Sequence, residues 1–332
     1  MLANKSGNKP IDMHVHVVGN GTGGTGCWLR VRGWHRPLAA MMLRQIGLPA
    51  EAMTGDLDRL YVERLLELVR GSSLGAAVIL AQDDARDEQG RLMAGAGSFY
   101  VPNDYVLKLA RDHEEFLPAV SIHPARPDAL EELNRCVTAG AVMMKCLPNC
   151  QNINCNDRRF TGFWERMAEG KLPLLAHTGG EHTLPVLRRE FADPRILTRP
   201  LECGVTVIAA HSGTKSGWLD PDYFRVFAEM TRRFPNLYGD TSAFNVPMRG
   251  GHIPECLREP LASRMVHGSD YPVPVHGHWA WMRRQVRWEA FRQAQRNQNL
   301  LERDYQLKAA MGFPLEHFTR IGRLLPRPPT EV

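Results

Sequence analysis

The sequence predicts an α/β protein that folds as a (β/α)8 TIM barrel, and three observations lead to this prediction. Short apolar runs of strand length recur along the chain, and each is cut off by glycine or proline. Segments of helical character lie between these runs, which indicates a parallel sheet. There are eight such runs, the number of strands that a closed barrel of this kind contains.

The positions of the elements follow from this pattern. The predicted strands are residues 11–18, 76–81, 116–122, 141–147, 172–177, 205–211, 236–241 and 265–270. The predicted helices between the later strands are residues 161–170, 184–191, 221–234 and 253–262. Two stretches, residues 19–58 and 82–103, are too long for simple connections, and we expect them to cover the barrel mouth as insertions. Residues 279–325 are predicted as extra C-terminal helices, so that residues 1–332 form a single domain.

The first predicted strand carries the most informative residues of the chain, His14 and His16. Successive side chains of a strand point to opposite faces, so residues two apart share a face. Both imidazoles are therefore expected on one side, at the C-terminal end of the strand. Two imidazoles held side by side can bind one transition metal.

Four more polar side chains stand at the C-terminal ends of later predicted strands. Lys145 ends the fourth strand, His177 the fifth, His211 the sixth and Asp270 the eighth. Functional groups of a closed parallel barrel lie at this end of the strands. The pattern thus brings two further histidines, a lysine and an aspartate to the His14–His16 pair.

Composition excludes several classes of protein. The chain has 43% hydrophobic and 23% charged residues and a net charge of +5, with no dense basic run, so nucleic acid is not an expected partner. No apolar run has the length of a membrane span. Seven cysteines, an odd and scattered set, argue against a disulfide framework and favour a cytoplasmic protein. The expected partner is a small-molecule substrate, and a homo-oligomer stays open.

The order His-x-His, Lys, His, His, Asp resembles the amidohydrolase superfamily of metal-dependent TIM-barrel enzymes. Residues 171–179 (Lys-Leu-Pro-Leu-Leu-Ala-His-Thr-Gly) and 268–272 (Gly-Ser-Asp-Tyr-Pro) are similar to the amidohydrolase-related branch, which contains hydrolases and decarboxylases. The resemblance implies that His14, His16, His177 and Asp270 bind a divalent metal. Zinc is the ion that these ligands favour, with Mn²⁺ or Fe²⁺ as alternatives.

The resemblance leaves the number of metal ions open. In binuclear members a carboxylated lysine bridges two ions, which would be the role of Lys145, and His211 would bind the second ion. In mononuclear members the lysine stays unmodified, and His211 would act as an acid or base. His211 is a site residue in both cases.

Two reactions are compatible with this set of residues. The first is hydrolysis of an amide, ester or lactone of a small substrate, an anionic one included, by metal-activated water, with Asp270 carrying the proton. The second is non-oxidative decarboxylation of an unsaturated or aromatic carboxylic acid. Arg30, His182 and Arg249 are the predicted substrate contacts, because they lie in loops that are expected at the mouth.

Overall fold

A computed structural model describes residues 9–33 and 35–326 of the chain. Eight parallel strands form one sheet in which each strand pairs with the next along the chain. Backbone hydrogen bonds also join the last strand segment to the first, from Met13 N to His267 O (3.2 Å) and from Asp270 N to His14 O (2.9 Å). The predicted (β/α)8 barrel is therefore confirmed. Its strands are β1 (Ile11–His16), β2 (Ala76–Leu80), β3 (Phe116–Val120), β4 (Met143–Cys146), β5 (Leu174–His177), β6 (Val207–Ala210), β7 (Leu237–Asp240) and β8 (Met265–Val266).

Helices surround the sheet and extend beyond it at the C-terminus. They are α1 (His35–Gln45), α2 (Leu57–Arg70), α3 (Asn103–Asp112), α4 (Ala129–Thr138), α5 (Pro148–Gln151), α6 (Thr161–Glu169), α7 (Thr198–Glu202), α8 (Phe224–Arg233), α9 (Ile253–Cys256), α10 (His278–Met282), α11 (Trp288–Arg296), α12 (Leu300–Ala310) and α13 (Leu315–Thr319). Short 3₁₀ helices lie at Ala50–Met53, Arg158–Phe160, Arg189–Ala192, Pro194–Leu197, His211–Gly213, Arg249–His252, Ala262–Arg264 and Arg320–Arg323.

Small and medium-sized side chains fill the inside of the barrel. Met13, Val78, Leu175 and Ile208 belong to one fully buried cluster there, which Ile321 covers from the C-terminal part of the chain. A larger apolar cluster lies between the sheet and the helices. The pairing of β1 with β2 shifts register between Asp12 and Val15, so strict alternation is interrupted within the strand that carries the two histidines.

The two predicted insertions meet over the barrel mouth. Trp28–Leu29 of the first pairs antiparallel with Phe99–Tyr100 of the second. The glycine-rich loop after β1 is tied down by the buried Asp58, whose carboxylate accepts hydrogen bonds from Asn20 N (2.8 Å) and Gly21 N (3.1 Å). The insertion is thus fixed at both of its ends.

Several predicted helices differ from the observed ones. Residues 184–191 form no α-helix, because Pro185 removes a donor and the N–H groups of Leu187 and Arg188 both donate to Asn149 O (2.9 Å each). The predicted helix 253–262 ends at Cys256, ahead of Pro260, and the helix at 221–234 begins only at Phe224. The C-terminal extension consists of several short helices, and Gly312 and Pro314 separate the last two of them.

The described part of the chain contains no helix that is both long and apolar enough to cross a membrane. All seven cysteines lie in the described ranges, and each has a free thiol. The predicted domain also includes residues 1–8, 34 and 327–332, which lie outside the described residues.

Candidate active site

Three predicted metal ligands meet at the mouth of the barrel. His14 Nε2 lies 3.1 Å and His16 Nε2 3.3 Å from Asp270 Oδ1. The ligand atoms of these three side chains all lie within 4.8 Å of one another. Among the described residues, no other group of three or more histidine, cysteine or acidic side chains meets this limit. The structure thus brings together residues from β1 and from the loop after β8.

The hydrogen bonds of His14 fix which ring nitrogen carries its proton. Its Nδ1 lies 2.8 Å from the carboxylate of Asp240, so Nδ1 is the donor and Nε2 bears a lone pair. Burial also lowers the pKa of His14 well below its usual value, so the ring is neutral. The lone pair of Nε2 then faces Asp270 Oδ1, another acceptor, at 3.1 Å. Lys145 Nζ also contacts this nitrogen, at 3.1 Å, and the same two acceptors fit a divalent metal.

Asp240, at the end of β7, connects His14 with His211. Its Oδ2 accepts from His14 Nδ1, and its Oδ1 accepts from His211 N (2.6 Å) and Ser242 Oγ (2.6 Å). His211 Nδ1 in turn lies 2.8 Å from Ser242 Oγ and 3.1 Å from Ser242 O. Because a carbonyl only accepts, Nδ1 of His211 is the protonated nitrogen and its Nε2 is an acceptor. A single carboxylate therefore orients two site histidines.

The backbone at His211 and Asp270 leaves the regular strand geometry. His211 has φ 59°, Ser212 φ 52° and Asp270 φ 68°. Successive side chains of a strand point to opposite faces, so after Ala210, which belongs to the cluster inside the barrel, the His211 side chain would lie on the outer face. The left-handed turn returns its ring to the mouth. His211 Nε2 consequently lies 4.0 Å from Asp270 Oδ2. Backbone strain of this kind is concentrated at functional sites.

His177 ends β5 as predicted, but its ligand atom stands apart from the His14–His16–Asp270 group. The ring is buried, and its Nε2 has no hydrogen-bond partner. Burial lowers the pKa of His177 to about 3, so the ring is neutral. The nearest carboxylate oxygen, Glu181 Oε2, lies 3.8 Å away. A buried ring nitrogen with no hydrogen-bond partner fits a metal ligand, the role that the sequence predicts for His177.

Lys145 ends β4 and lies inside the site. Its Nζ is 3.1 Å from His14 Nε2, and the side chain is fully buried. Burial lowers the pKa of Lys145 below its usual value, although Asp270 and Asp240 counteract this effect. Asp270, in contrast, has a pKa below its usual value, because the two β1 histidines and Lys145 outweigh the effect of its burial. The carboxylate of Asp270 is therefore the stable anionic group of the site.

A cavity of ≈ 160 Å³ opens next to these residues. His16, Lys145, His177, His211 and Asp270 form its floor. The first insertion and the start of α2 form the opposite wall with mostly apolar side chains: Leu29, Val31, Leu38, Ala39, Met42, Leu43, Met53 and Leu57.

The three predicted substrate contacts do not line this cavity. Arg249 is buried and donates to Thr214 O (3.0 Å) and Gly180 O (2.6 Å), which fixes the loops after β5 and β6. His182 is 54% exposed and lies 2.8 Å from Asp220. Arg30 stacks on Trp28, with 4.5 Å between its guanidinium carbon and the ring centroid. Their role in substrate binding stays a prediction.

Two residues of the site were not predicted from the sequence. Asp240 ends a predicted strand and so carried the same positional signal as Lys145 and His177. Glu181 lines the cavity, and its Oε1 accepts from Thr183 N (2.5 Å) and Leu184 N (3.0 Å). Its only signal is its place in the loop that follows β5.

The eight-stranded barrel, with metal-capable histidines and an aspartate at the C-terminal strand ends, defines a class of metal-dependent TIM-barrel enzymes. The family model for amidohydrolases matches residues 11–300. The chain therefore belongs to the amidohydrolase family, which confirms the resemblance noted in the sequence. No curated protein matches the chain.

Solved structures with the same fold include hydrolases and decarboxylases. An uncharacterized TIM-barrel protein from Bordetella bronchiseptica is 21% identical, with a TM-score of 0.59 over 92% of this chain and 99% of its own. The 5-carboxyvanillate decarboxylase LigW from Sphingomonas paucimobilis is 14% identical, with a TM-score of 0.56 over 95% and 96%. A probable 2-pyrone-4,6-dicarboxylic acid hydrolase from Acinetobacter baumannii is 14% identical, with a TM-score of 0.50 over 92% and 100%. At these identities the likeness establishes the fold.

Proposed function

We propose that this protein is a metal-dependent hydrolase that cleaves an ester, lactone or amide bond with the help of Asp270. The observation that carries the proposal is the position of the Asp270 carboxylate. Its Oδ1 lies beside His14 and His16, and its Oδ2 faces His211 at 4.0 Å. One carboxylate thus has an oxygen for the metal and a second oxygen for a proton.

His14, His16, His177 and Asp270 would hold the ion, and zinc suits this set of ligands best. A divalent metal supplies Lewis acidity and lets water ionise near neutral pH. Asp270 Oδ2 accepts the proton of the attacking water and delivers it to the leaving group. His211 Nε2, held as an acceptor by its bonds to Ser242, supports either a second ion or the proton transfer.

Decarboxylation is the alternative that the fold allows. Substrates of that reaction carry a carboxylate, which calls for cationic side chains in the binding cavity. Among the described residues that line the cavity, Lys145 is the cation and contacts His14, there is no arginine, and Glu181 adds a negative charge. The cavity therefore favours hydrolysis over decarboxylation.

Free thiols in all seven cysteines support our proposal of a cytoplasmic location.

An assay with both substrate types tests the proposal. Purified protein, loaded with Zn²⁺ or Mn²⁺, is incubated with a panel of esters and lactones that includes 2-pyrone-4,6-dicarboxylate, and acid release is followed. Parallel reactions with 2,6-dihydroxybenzoate and 5-carboxyvanillate are followed by CO₂ release. Metal-dependent acid release that Asp270→Asn abolishes supports hydrolysis. Metal-dependent CO₂ release without acid release would refute it.

The metal count is tested at Lys145. A lowered pKa leaves the Lys145 amine neutral more often, which favours its carboxylation by CO₂. If carboxylated Lys145 bridges two ions, wild-type protein holds two metal equivalents, bicarbonate raises the loading, and Lys145→Ala reduces it to one. If one ion is bound, Lys145→Ala retains one equivalent and native mass spectrometry shows an unmodified lysine in the wild type. Lys108→Ala is the control, since Lys108 is exposed on α3, pairs with Asp112 and does not line the cavity.

A further inference from the structure

The cations of the site lie at the floor of the cavity, where Lys145 stands and where a divalent ion would be held beside the reacting carbonyl. Lys145 is also engaged, since its Nζ contacts His14 Nε2. A second charge at the far end of the substrate would lie against the opposite wall, and no described lysine or arginine lines that wall. Burying a substrate carboxylate there without a cationic partner carries a large desolvation penalty.

Four arginines belong to loops or insertions near the cavity, and none of them lines it. Arg249 has its guanidinium on the carbonyls of Gly180 and Thr214. Arg30 lies over Trp28 and, with Arg32 and Arg36, lines a neighbouring groove that shares Leu29, Val31 and Met53 with the cavity. These three arginines are not among the residues that line the cavity itself.

The inner face of the same insertion is apolar apart from His35, which also lines the cavity. Four residues of α1 share one face of the helix, because they form two pairs that are four positions apart. All four line the cavity: Leu38, Ala39, Met42 and Leu43. Met53 from the following 3₁₀ turn and Phe99 from the second insertion complete this wall. The cavity volume of ≈ 160 Å³ is close to the roughly 150 Å³ of an apolar cavity that holds one benzene ring.

We infer that the substrate is an uncharged ester or lactone with an apolar group of about five or six carbons that packs against α1. This inference rests on the proposed hydrolase function and names the substrate class of that site. The apolar wall supplies the binding energy, and the polar floor receives the single reactive carbonyl. Met42 is the specificity-determining residue that we test, because it is half-buried and points from α1 into the cavity.

The substrate class is tested with two esters of equal length. Methyl hexanoate and monomethyl adipate differ only in a terminal methyl against a terminal carboxylate. We expect kcat/KM for methyl hexanoate to exceed that for monomethyl adipate by at least ~100-fold. From methyl propanoate to methyl hexanoate, each methylene should raise kcat/KM about fourfold. Equal or faster turnover of monomethyl adipate overturns the inference.

A binding measurement separates this inference from the proposed reaction. Acetone, 2-pentanone and 2-heptanone carry a carbonyl but no bond to hydrolyse, and their dissociation constants with the metal-loaded protein are measured by NMR titration. Affinity that rises about fourfold per methylene supports the apolar site even when no ester is cleaved, and the hydrolase proposal alone would then be wrong. Affinity that does not depend on chain length overturns the inference.

Two neighbouring methionines of α1 provide a matched pair of variants. Met41 is 41% exposed and does not line the cavity, whereas Met42 lines it. Met42→Arg should reduce kcat/KM for methyl hexanoate at least ~10-fold and narrow its ratio to monomethyl adipate, and Met41→Arg should change neither. Met42→Ala, which adds no charge, should weaken 2-heptanone binding about 10-fold. Identical behaviour of the Met41 and Met42 variants, with folding checked by circular dichroism, overturns the inference.

Discussion

The role of Asp240 leads to a prediction that does not depend on the substrate. In Asp240→Asn the side-chain volume and the oxygen that accepts from His211 N and Ser242 are retained. The changed atom is the one 2.8 Å from His14 Nδ1, where a carboxylate oxygen becomes an N–H₂ donor. Two donors then face each other. The proton of His14 therefore moves to Nε2, the nitrogen that must stay free to bind metal.

The magnitude follows from the bond that is lost. A hydrogen bond to a charged group stabilises by about 1.5–3 kcal/mol, and 1.36 kcal/mol corresponds to a factor of ten. We expect Asp240→Asn to weaken metal binding roughly 10- to 100-fold, within the range found for groups that orient metal-bound histidines. Competition with a chromophoric chelator measures the dissociation constant of Zn²⁺ for both proteins.

Asp220→Asn is the matched control, because Asp220 also bonds to a histidine, His182, at 2.8 Å, but outside the cavity. Its zinc affinity should equal that of the wild type. Circular dichroism and the melting temperature establish that both variants fold. A folded Asp240→Asn protein with wild-type zinc affinity would refute the assignment of Asp240 as the group that sets the His14 tautomer.

Three further predictions concern other parts of the molecule. Replacing His14 and His16 together by alanine should abolish metal binding, measured by atomic emission, while His182→Ala keeps it; a folded double variant with a full zinc equivalent contradicts the ligand assignment. Asp270→Asn keeps an oxygen ligand but loses the base, so kcat should fall at least ~10²-fold while metal stays bound, and near-normal turnover would assign the proton to another residue. Burial, together with Lys308 and Arg320, lowers the pKa of His317 well below its usual value, so native His317 stays neutral while the unfolded chain gains a proton below about pH 6.5. The free energy of unfolding should therefore fall as pH drops from roughly 6 to 5, by about 1 kcal/mol more in the wild type than in His317→Gln; parallel urea-unfolding results for the two proteins would exclude this contribution.

The strand ends were predictable from the sequence because two local signals coincide there. Lys145 and His177 each follow an apolar run and precede a loop, and the structure places both at the barrel mouth. Period-two alternation accounts for His14 and His16, although the pairing of β1 shifts register between Asp12 and Val15, on either side of His14. The signal was equally present at Asp240, where it was missed.

The loops were not predictable, since hydrogen bonds between groups remote in the sequence determine their course. The position of Arg249 depends on the carbonyls of Gly180 and Thr214, which are far from it in the sequence. Residues 184–191 have a helical apolar pattern, but two of their N–H groups bond to Asn149 instead. His211 reaches the site only through the left-handed backbone at 211 and 212, and strand periodicity gives no sign of it.

The origin of the cavity walls has a consequence for how this enzyme family diversifies. The metal-capable side chains belong to the barrel, whereas most of the apolar wall belongs to one contiguous stretch held at its base by Asp58 and at its rim by the Trp28–Leu29 and Phe99–Tyr100 ribbon. Exchange of residues 20–58 between relatives would transfer this wall as one segment. Phe99 and Tyr100, which pair with Trp28–Leu29, would have to be exchanged with it. In this chain, the metal-capable side chains and most of the apolar wall therefore lie on separate stretches of the sequence.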